Sequence, residues 1–173
     1  METLTLSTLN TMTPDAFANA LGGVFEHSPW VAVAVCDQRP FAGWNALHTA
    51  MVEAVAQAAP ARQLALIRAH PDLAGKAAQA GAVTLHSRQE QSGAGLDRLS
   101  AEEYERFHRL NTAYRERFDF PFILAVKGHD KEGVLTAFKE RLTNDTATEK
   151  TRALAEIVNI ARFRLAALSG ETL

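Results

Sequence analysis

Apolar residues recur at helical spacing along most of the chain. Between Gly43 and Ala58, Leu47, Met51 and Val55 stand four residues apart, which is typical of a helix with one buried face. The same kind of pattern predicts helices beginning near Thr13, Pro60, Ser100, Lys131 and Thr146, the last ending close to Leu168. The fold class expected from this pattern is all-α, a single compact multi-helix domain over residues 1–173 with a core from about 13 to 168.

Capping signals define several of the predicted helix ends. Pro71 stops the helix that starts at Pro60, because the proline ring disfavours helical backbone at the preceding residue, His70. Ser100–Glu103 and Thr146–Glu149 each match the Ser/Thr-x-x-Glu capping box. The stretch 72–100, interrupted by several glycines, is the least regular part of the chain.

Two short apolar segments do not show a clear helical pattern. Val31–Cys36 and Phe120–Val126 are rich in valine, phenylalanine and isoleucine, so each could be a buried strand. Two such strands would need helices packed on them to be stable. A small α+β domain is therefore the structural alternative to the all-α prediction.

Composition excludes several classes of protein. The 173 residues carry a formal net charge of −2 and no basic stripe, which argues against a nucleic-acid-binding protein. The longest apolar runs are far too short to cross a membrane. The single cysteine, Cys36, excludes an intrachain disulfide and is expected to be a buried, inert thiol. With neither a secretory signal nor a peroxisomal address in view, we expect a cytoplasmic protein.

The histidines do not form a recognisable metal motif. None of the six has another histidine four residues away, and no His-Glu-x-x-His motif occurs. Gly-x-Gly-x-x-Gly and phosphate-loop motifs are also absent from the sequence. No metal site is expected.

His70 has two possible roles. It stands at a predicted helix C-terminus, where the negative end of the helix dipole favours an imidazolium, so it could simply cap the helix. From position alone a helix cap is the commoner role, and the alternative is a proton donor or acceptor at a site.

Ser87 and Glu90 show a similar ambiguity. Ser87-Arg-Gln-Glu90 matches a third capping box, yet a glycine-rich stretch follows it where the other two boxes precede long amphipathic helices. Arg162 and Arg164 lie on opposite edges of the apolar stripe of the last helix, and periodicity does not distinguish a site residue from a surface cation there.

Four motifs, taken in order, resemble one known family. They are His70-Pro71-Asp72-Leu73; Ser87-x-x-Glu90-Gln91-x-Gly93-Ala94-Gly95-Leu96; Leu110-Asn111-x-x-Tyr114-x-x-x-Phe118-x-Phe120-Pro121-Phe122-Ile123; and Arg141-Leu142-x-Asn144-x-x-x-x-Glu149 followed by Ile160-Ala161-x-x-Arg164-Leu165. From Thr13 to Leu168 the chain resembles the 2-oxo-4-hydroxy-4-carboxy-5-ureidoimidazoline (OHCU) decarboxylases. These enzymes perform the last step from urate to (S)-allantoin in purine catabolism.

The resemblance implies a carboxy-lyase with an all-helical fold that needs no cofactor and is often a homodimer. It implies that His70 and Glu90 are catalytic. The residues it implies for substrate binding are Pro71, Ser87, Arg88, Gln89, Gln91, Arg164 and the backbone of Phe122, Ile123, Leu124, Ala125 and Val126.

The chemistry of that substrate fits these residue types. Its carboxylate lies next to a C=N bond that can accept the electrons left by carbon dioxide, so neither a metal nor an organic cofactor is required. Two alternatives remain at this stage: a lyase or hydrolase acting on another ureido compound or cyclic amide, and a non-catalytic helical interaction module in which His70 and Glu90 merely cap helices.

Overall fold

The computed structural model describes residues 3–173, and within them the chain forms α-helices and no β-strand. The all-α prediction is confirmed, and the α+β alternative is excluded for this part of the chain. The helices are α1 (Leu6–Thr11), α2 (Pro14–Leu21), α3 (Trp30–Val35), α4 (Trp44–Gln57), α5 (Pro60–Arg68), α6 (Lys76–Gln79), α7 (Leu85–Gly93), α8 (Ala101–Phe118), α9 (Lys131–Arg141) and α10 (Thr146–Ser169).

The helices fall into two compact units. One contains the chain up to Ala69 together with Val158–Leu173, and the other contains His70–Ile157. The chain passes from the second unit back into the first within α10. No helix within residues 3–173 combines the length and apolar character needed to span a membrane.

The first unit is built around the amphipathic helix α4. Leu47, Met51 and Val55 are all buried, as their spacing predicts. The segment Val31–Cys36, a possible strand by composition, lies in α3 and in the 3₁₀ turn Cys36–Gln38 that follows it. Valine has a low helix propensity, but burial of one face can outweigh a preference of this size, and Val31 is fully buried.

The second unit has an aromatic core. Tyr114 of α8 packs edge-on against Phe122, with ring centroids 5.3 Å apart, and Phe122 stacks on Phe138 of α9 at 3.8 Å. The segment 120–126 that contributes Phe122 is buried but is neither helix nor strand. Its possible assignment as a strand is therefore wrong, because side chains rather than a neighbouring strand bind its backbone.

The capping boxes predicted at the starts of α8 and α10 can each be compared with the structure. Ser100 and Glu103 form the predicted capping box of α8, with both reciprocal hydrogen bonds present. At the start of α10 the box prediction is wrong. Asp145 accepts the hydrogen bond from the Thr148 N–H at 2.7 Å, and Glu149 is fully buried.

Glu149 is the centre of a buried polar network. It accepts hydrogen bonds from the Tyr114 hydroxyl, from Arg141 Nε at 2.5 Å and from Asn144 Nδ2 at 3.0 Å. Burial and the hydrogen bond to the Glu149 carboxylate raise the pKa of Tyr114. Because these hydrogen bonds replace the ones that water would make to the Glu149 carboxylate, this group can lie in the core.

Candidate active site

Helix α7 begins one turn earlier than the Ser87–Glu90 motif would require for a cap. Its N-cap is Thr84, whose hydroxyl accepts a hydrogen bond from the Ser87 N–H at 3.3 Å. Ser87 and Glu90 therefore lie inside the helix, and their interpretation as a capping box is wrong. Their side chains do not serve as the N-terminal cap of α7.

Three residues of the segment Ser87–Gln91 share one face of α7. At about 100° per residue, Ser87, Glu90 and Gln91 fall within an arc of about 100°. Ser87 and Gln91 are buried and Glu90 is half-buried. Arg88 and Gln89 lie on the exposed face, where Arg88 Nη2 donates to the Gly81 carbonyl at 2.5 Å.

His70 lies just beyond the end of α5. The C-cap of that helix is Ala69, and only 7% of the His70 surface is exposed. A charged residue whose role is to cap a helix end is normally solvated. His70 is therefore neither the C-cap of α5 nor a solvated surface residue, and its catalytic role stays a prediction.

The loop that follows His70 is held by side chains from α7 and α8. Gln91 Oε1 accepts from the Ala74 N–H at 2.8 Å, and Asn111 Nδ2 donates to the Leu73 carbonyl at 2.9 Å. Arg115 adds an ion pair to Asp72, with an Nη2–Oδ1 distance of 2.7 Å. The Gln91–Ala74 hydrogen bond thus joins the loop that follows His70 to the helix that carries Glu90.

The backbone of Phe122–Val126 is held by two further side chains. Arg141 Nη1 donates to the Ile123 carbonyl, and Glu156 Oε2 accepts from the Ala125 N–H at 3.0 Å. Arg152 also binds Glu156, which keeps that buried carboxylate paired. The N–H and carbonyl of Leu124 lie between the two bound groups along the chain.

Helix α8 connects both parts of the candidate site in the second unit. Asn111 binds the His70 loop, and Tyr114, one turn further on, packs against Phe122. Asn111 belongs to the third sequence motif but is not among the predicted site residues. Its spacing carried a signal, because Phe107, Asn111, Tyr114 and Phe118 lie on one buried helix face and Asn111 is the polar member of that face.

Arg164 belongs to the first unit and is almost completely buried. Its Nη1 lies 2.7 Å from Glu26 Oε2 and donates to the Gly23 carbonyl at 3.0 Å. Arg162 is exposed, and its Nε donates to the Leu173 carbonyl at 2.7 Å. The structure therefore separates the two arginines that periodicity left equivalent, and Arg164 is the buried one. The sequence offered no sign of Glu26 as its partner.

Potential metal ligands are dispersed in the structure. Among residues 3–173, no group of three histidine, cysteine, aspartate or glutamate side chains is arranged to hold a metal ion. The polar side chains near the His70 loop are instead arranged to hold backbone groups.

Comparisons with known proteins agree along nearly the whole chain. Residues 10–166 match the family model described as OHCU decarboxylase. A 2-oxo-4-hydroxy-4-carboxy-5-ureidoimidazoline decarboxylase of Haloferax volcanii is 43% identical over 166 residues, which cover 96% of each chain.

Two solved structures share the fold. A crystal structure of (S)-allantoin synthase superposes with a TM-score of 0.77 at 31% identity, over 95% of this chain and 54% of that one, so this chain spans about half of it. A crystal structure of OHCU decarboxylase in the presence of (S)-allantoin gives a TM-score of 0.69 at 25% identity, covering 91% of this chain and 99% of that one.

Proposed function

The chain belongs to the OHCU decarboxylase family, and from that premise we propose that it converts OHCU to (S)-allantoin with release of carbon dioxide. The observation that carries the proposal is the match to this family and to its named decarboxylases over nearly the whole length of the chain. The enzyme is a carboxy-lyase of urate degradation.

The substrate largely determines what the protein must supply. As the bond to the carboxylate carbon breaks, its electron pair moves into the ring and onto the adjacent C=N nitrogen, and carbon dioxide leaves. The protein has to hold the carboxylate out of the ring plane and remove water from it, which are effects of positioning and solvent exclusion. No metal or organic cofactor is needed for this electron flow.

His70 and Glu90 are the proposed proton-transfer groups. Glu90 accepts the proton of the substrate hydroxyl, or a strong hydrogen bond from it, as the product carbonyl forms. His70 delivers a proton to one face of the ring carbon that bears the ureido group, which yields a single enantiomer. The burial of His70 and the position of Glu90 inside α7 support these roles, since neither residue is the N-cap or C-cap of a helix.

Substrate binding is assigned to the remaining residues of the predicted site. Ser87 and Gln91 share the Glu90 face of α7, whereas the side chains of Arg88 and Gln89 are exposed. Pro71 shapes the wall beside His70. Arg164 is proposed to bind anionic or carbonyl oxygens through its planar guanidinium.

The backbone of Phe122–Val126 is proposed to bind the heterocycle. Because Arg141 and Glu156 already bind the Ile123 carbonyl and the Ala125 N–H, this contact falls to other groups of the segment. The backbone N–H and carbonyl of Leu124, between the two bound residues, are among the groups that remain for this contact.

We also propose that the protein is a cytoplasmic homodimer. The family resemblance supports the dimer. A reducing compartment suits a chain whose single cysteine is a buried free thiol.

The test is an assay of the purified chain with freshly generated OHCU, monitored by the circular dichroism of (S)-allantoin. We expect allantoin to form well above the spontaneous rate, with no loss of rate on adding a metal chelator. His70→Asn should fold normally and lose about 10²–10⁴-fold in turnover, the usual contribution of a general acid or base.

The matched control is His108→Asn, which removes an exposed histidine of α8 and should turn over normally. A different product would favour the alternative lyase or hydrolase. Absence of turnover would favour the helical interaction module. Activity abolished by chelator and restored by one divalent ion would overturn the cofactor-free mechanism.

A further inference from the structure

The loop from His70 to Gly75 is held in place by side chains rather than by regular secondary structure. Leu73 and Ala74 are buried. The side chain of Asn111 binds the Leu73 carbonyl, and the side chain of Gln91 binds the Ala74 N–H. Ala74 has a φ of 51°, a left-handed conformation that a residue with a Cβ adopts at a cost. A loop in this conformation needs external contacts to keep it there.

Gln91 and Asn111 are themselves fixed by burial. Gln91 is 3% exposed and Asn111 is 4% exposed, so their amides have few alternative partners. Each uses one end of its amide for the loop, Gln91 as acceptor and Asn111 as donor. Loss of either group would leave a buried backbone N–H or carbonyl unpaired, which favours rearrangement of the loop.

The hydrogen bond between Gln91 and Ala74 has a particular consequence for the reaction. Gln91 is next to Glu90 on α7 and one turn from Ser87, whereas Ala74 is four residues from His70. The Gln91–Ala74 hydrogen bond therefore joins the helix that carries one proposed proton-transfer group to the loop that follows the other. Asn111 holds the same loop from α8.

We propose that Asn111 and Gln91 are positioning residues that set the placement of His70 relative to Glu90. This inference rests on the proposed function. It adds Asn111, a residue outside the predicted site, to the residues on which the reaction depends. Both residues act on the reaction through His70. Gln91 Nε2, which has no hydrogen-bond partner in the structure, stays available for the substrate contact predicted for this residue.

The test is a double-mutant cycle between Asn111 and His70. Asn111→Leu keeps the side-chain volume but removes the donor to the Leu73 carbonyl. We expect kcat to fall by about 10-fold or more while KM changes by less than about 3-fold, because the change misplaces a reacting group and leaves substrate contacts intact. In the His70→Asn background the same substitution should have almost no further effect, since residues that act as a unit are not additive.

Thr112→Ala is the matched control, because Thr112 is the exposed neighbour of Asn111 on α8. It should leave kcat, KM and the cycle unchanged. Gln91→Met, which removes the acceptor for the Ala74 N–H, should lower kcat as Asn111→Leu does and provides the cycle in kcat if Asn111→Leu fails to fold. Its KM should also rise, because the substrate contact predicted for Gln91 is lost with the amide.

Hydrogen exchange gives a readout that does not require activity. The amide of Ala74 is bound by Gln91, so Gln91→Met should accelerate exchange in the peptide covering residues 70–75, and Thr112→Ala should not. Unchanged exchange in this peptide, or equal losses of kcat with and without His70, would overturn the inference. A wild-type chain inactive on OHCU would instead overturn the proposed function, whatever the exchange data show.

Discussion

At the scale of single residues, Glu90 now has a sharper test than its sequence motif allowed. Thr84 caps α7, so Glu90→Gln cannot weaken a cap. Glutamine keeps the shape of the side chain but cannot take a proton, so we expect turnover to fall by at least about 10²-fold, equivalent to about 2.7 kcal/mol of barrier. The melting temperature should barely change.

Allantoin formation and thermal melts on the same samples measure both quantities. Glu102→Gln, an exposed change at the start of α8, is the control. If Glu90→Gln kept normal turnover, the proposed proton transfer through Glu90 would have to be withdrawn.

Arg164 and Arg162 form a natural pair for a second test. Arg164→Lys keeps a positive charge for Glu26 but loses the planar fork, so substrate binding should weaken markedly and KM should rise about 10-fold or more. Arg162→Lys, at an exposed position two residues earlier, should leave KM close to the wild-type value. Steady-state kinetics on both variants measures the two changes in KM. Equal changes would mean that Arg164 has no special contact with substrate.

At the scale of elements, the start of α10 depends on the charge of Asp145. The backbone N–H of Thr148 donates to this carboxylate and lowers its pKa. A group whose pKa is lower in the folded state stabilises the fold above its unfolded pKa, and this contribution disappears as the pH falls through the folded pKa.

Asp145→Ala should therefore lower the melting temperature at neutral pH, and the deficit should shrink in strongly acidic buffer. Asp145→Asn keeps a capping side chain without the charge. At neutral pH its melting temperature should lie between those of the wild type and Asp145→Ala. Melts of the three proteins across this pH range test the prediction. A deficit that does not vary with pH would contradict a charge-dependent cap.

At the scale of the whole molecule, Tyr114 links the stability of the fold to alkaline pH. Its pKa is raised by burial and by the Glu149 carboxylate, so the folded protein keeps the hydroxyl proton while the unfolded chain releases it near pH ~10. Stability from this source is complete below that value and is lost progressively as the pH rises from there through the higher pKa of the folded state.

The chain has two tyrosines, and Tyr104→Phe leaves Tyr114 as the sole chromophore of this kind. We expect phenolate absorbance to appear together with the loss of helical circular dichroism. Because α10 contributes to both compact units, we expect one transition, in line with the single-domain prediction for residues 1–173. Phenolate formed while the helices persist would contradict the protonated, buried state of Tyr114.

Most of the fold could be predicted from the sequence, because the interactions that define its helices are local. The four-residue spacing in α4, the capping box at Ser100 and the stop before Pro71 all act within one or two turns of backbone. The order and spacing of the motifs that contain His70, Glu90 and Arg164 likewise indicate the family without reference to any tertiary contact.

The tertiary structure decided which polar side chains bind buried backbone groups and which of them are buried in the core. Glu149 matches a cap by sequence, yet it is buried because Arg141 and Tyr114, distant in the chain, supply its hydrogen bonds. The segment Phe120–Val126 has the composition of a strand, but Arg141 and Glu156 bind its backbone in place of a neighbouring strand. Burial and long-range hydrogen bonding depend on the path of the whole chain, which no local window of sequence contains.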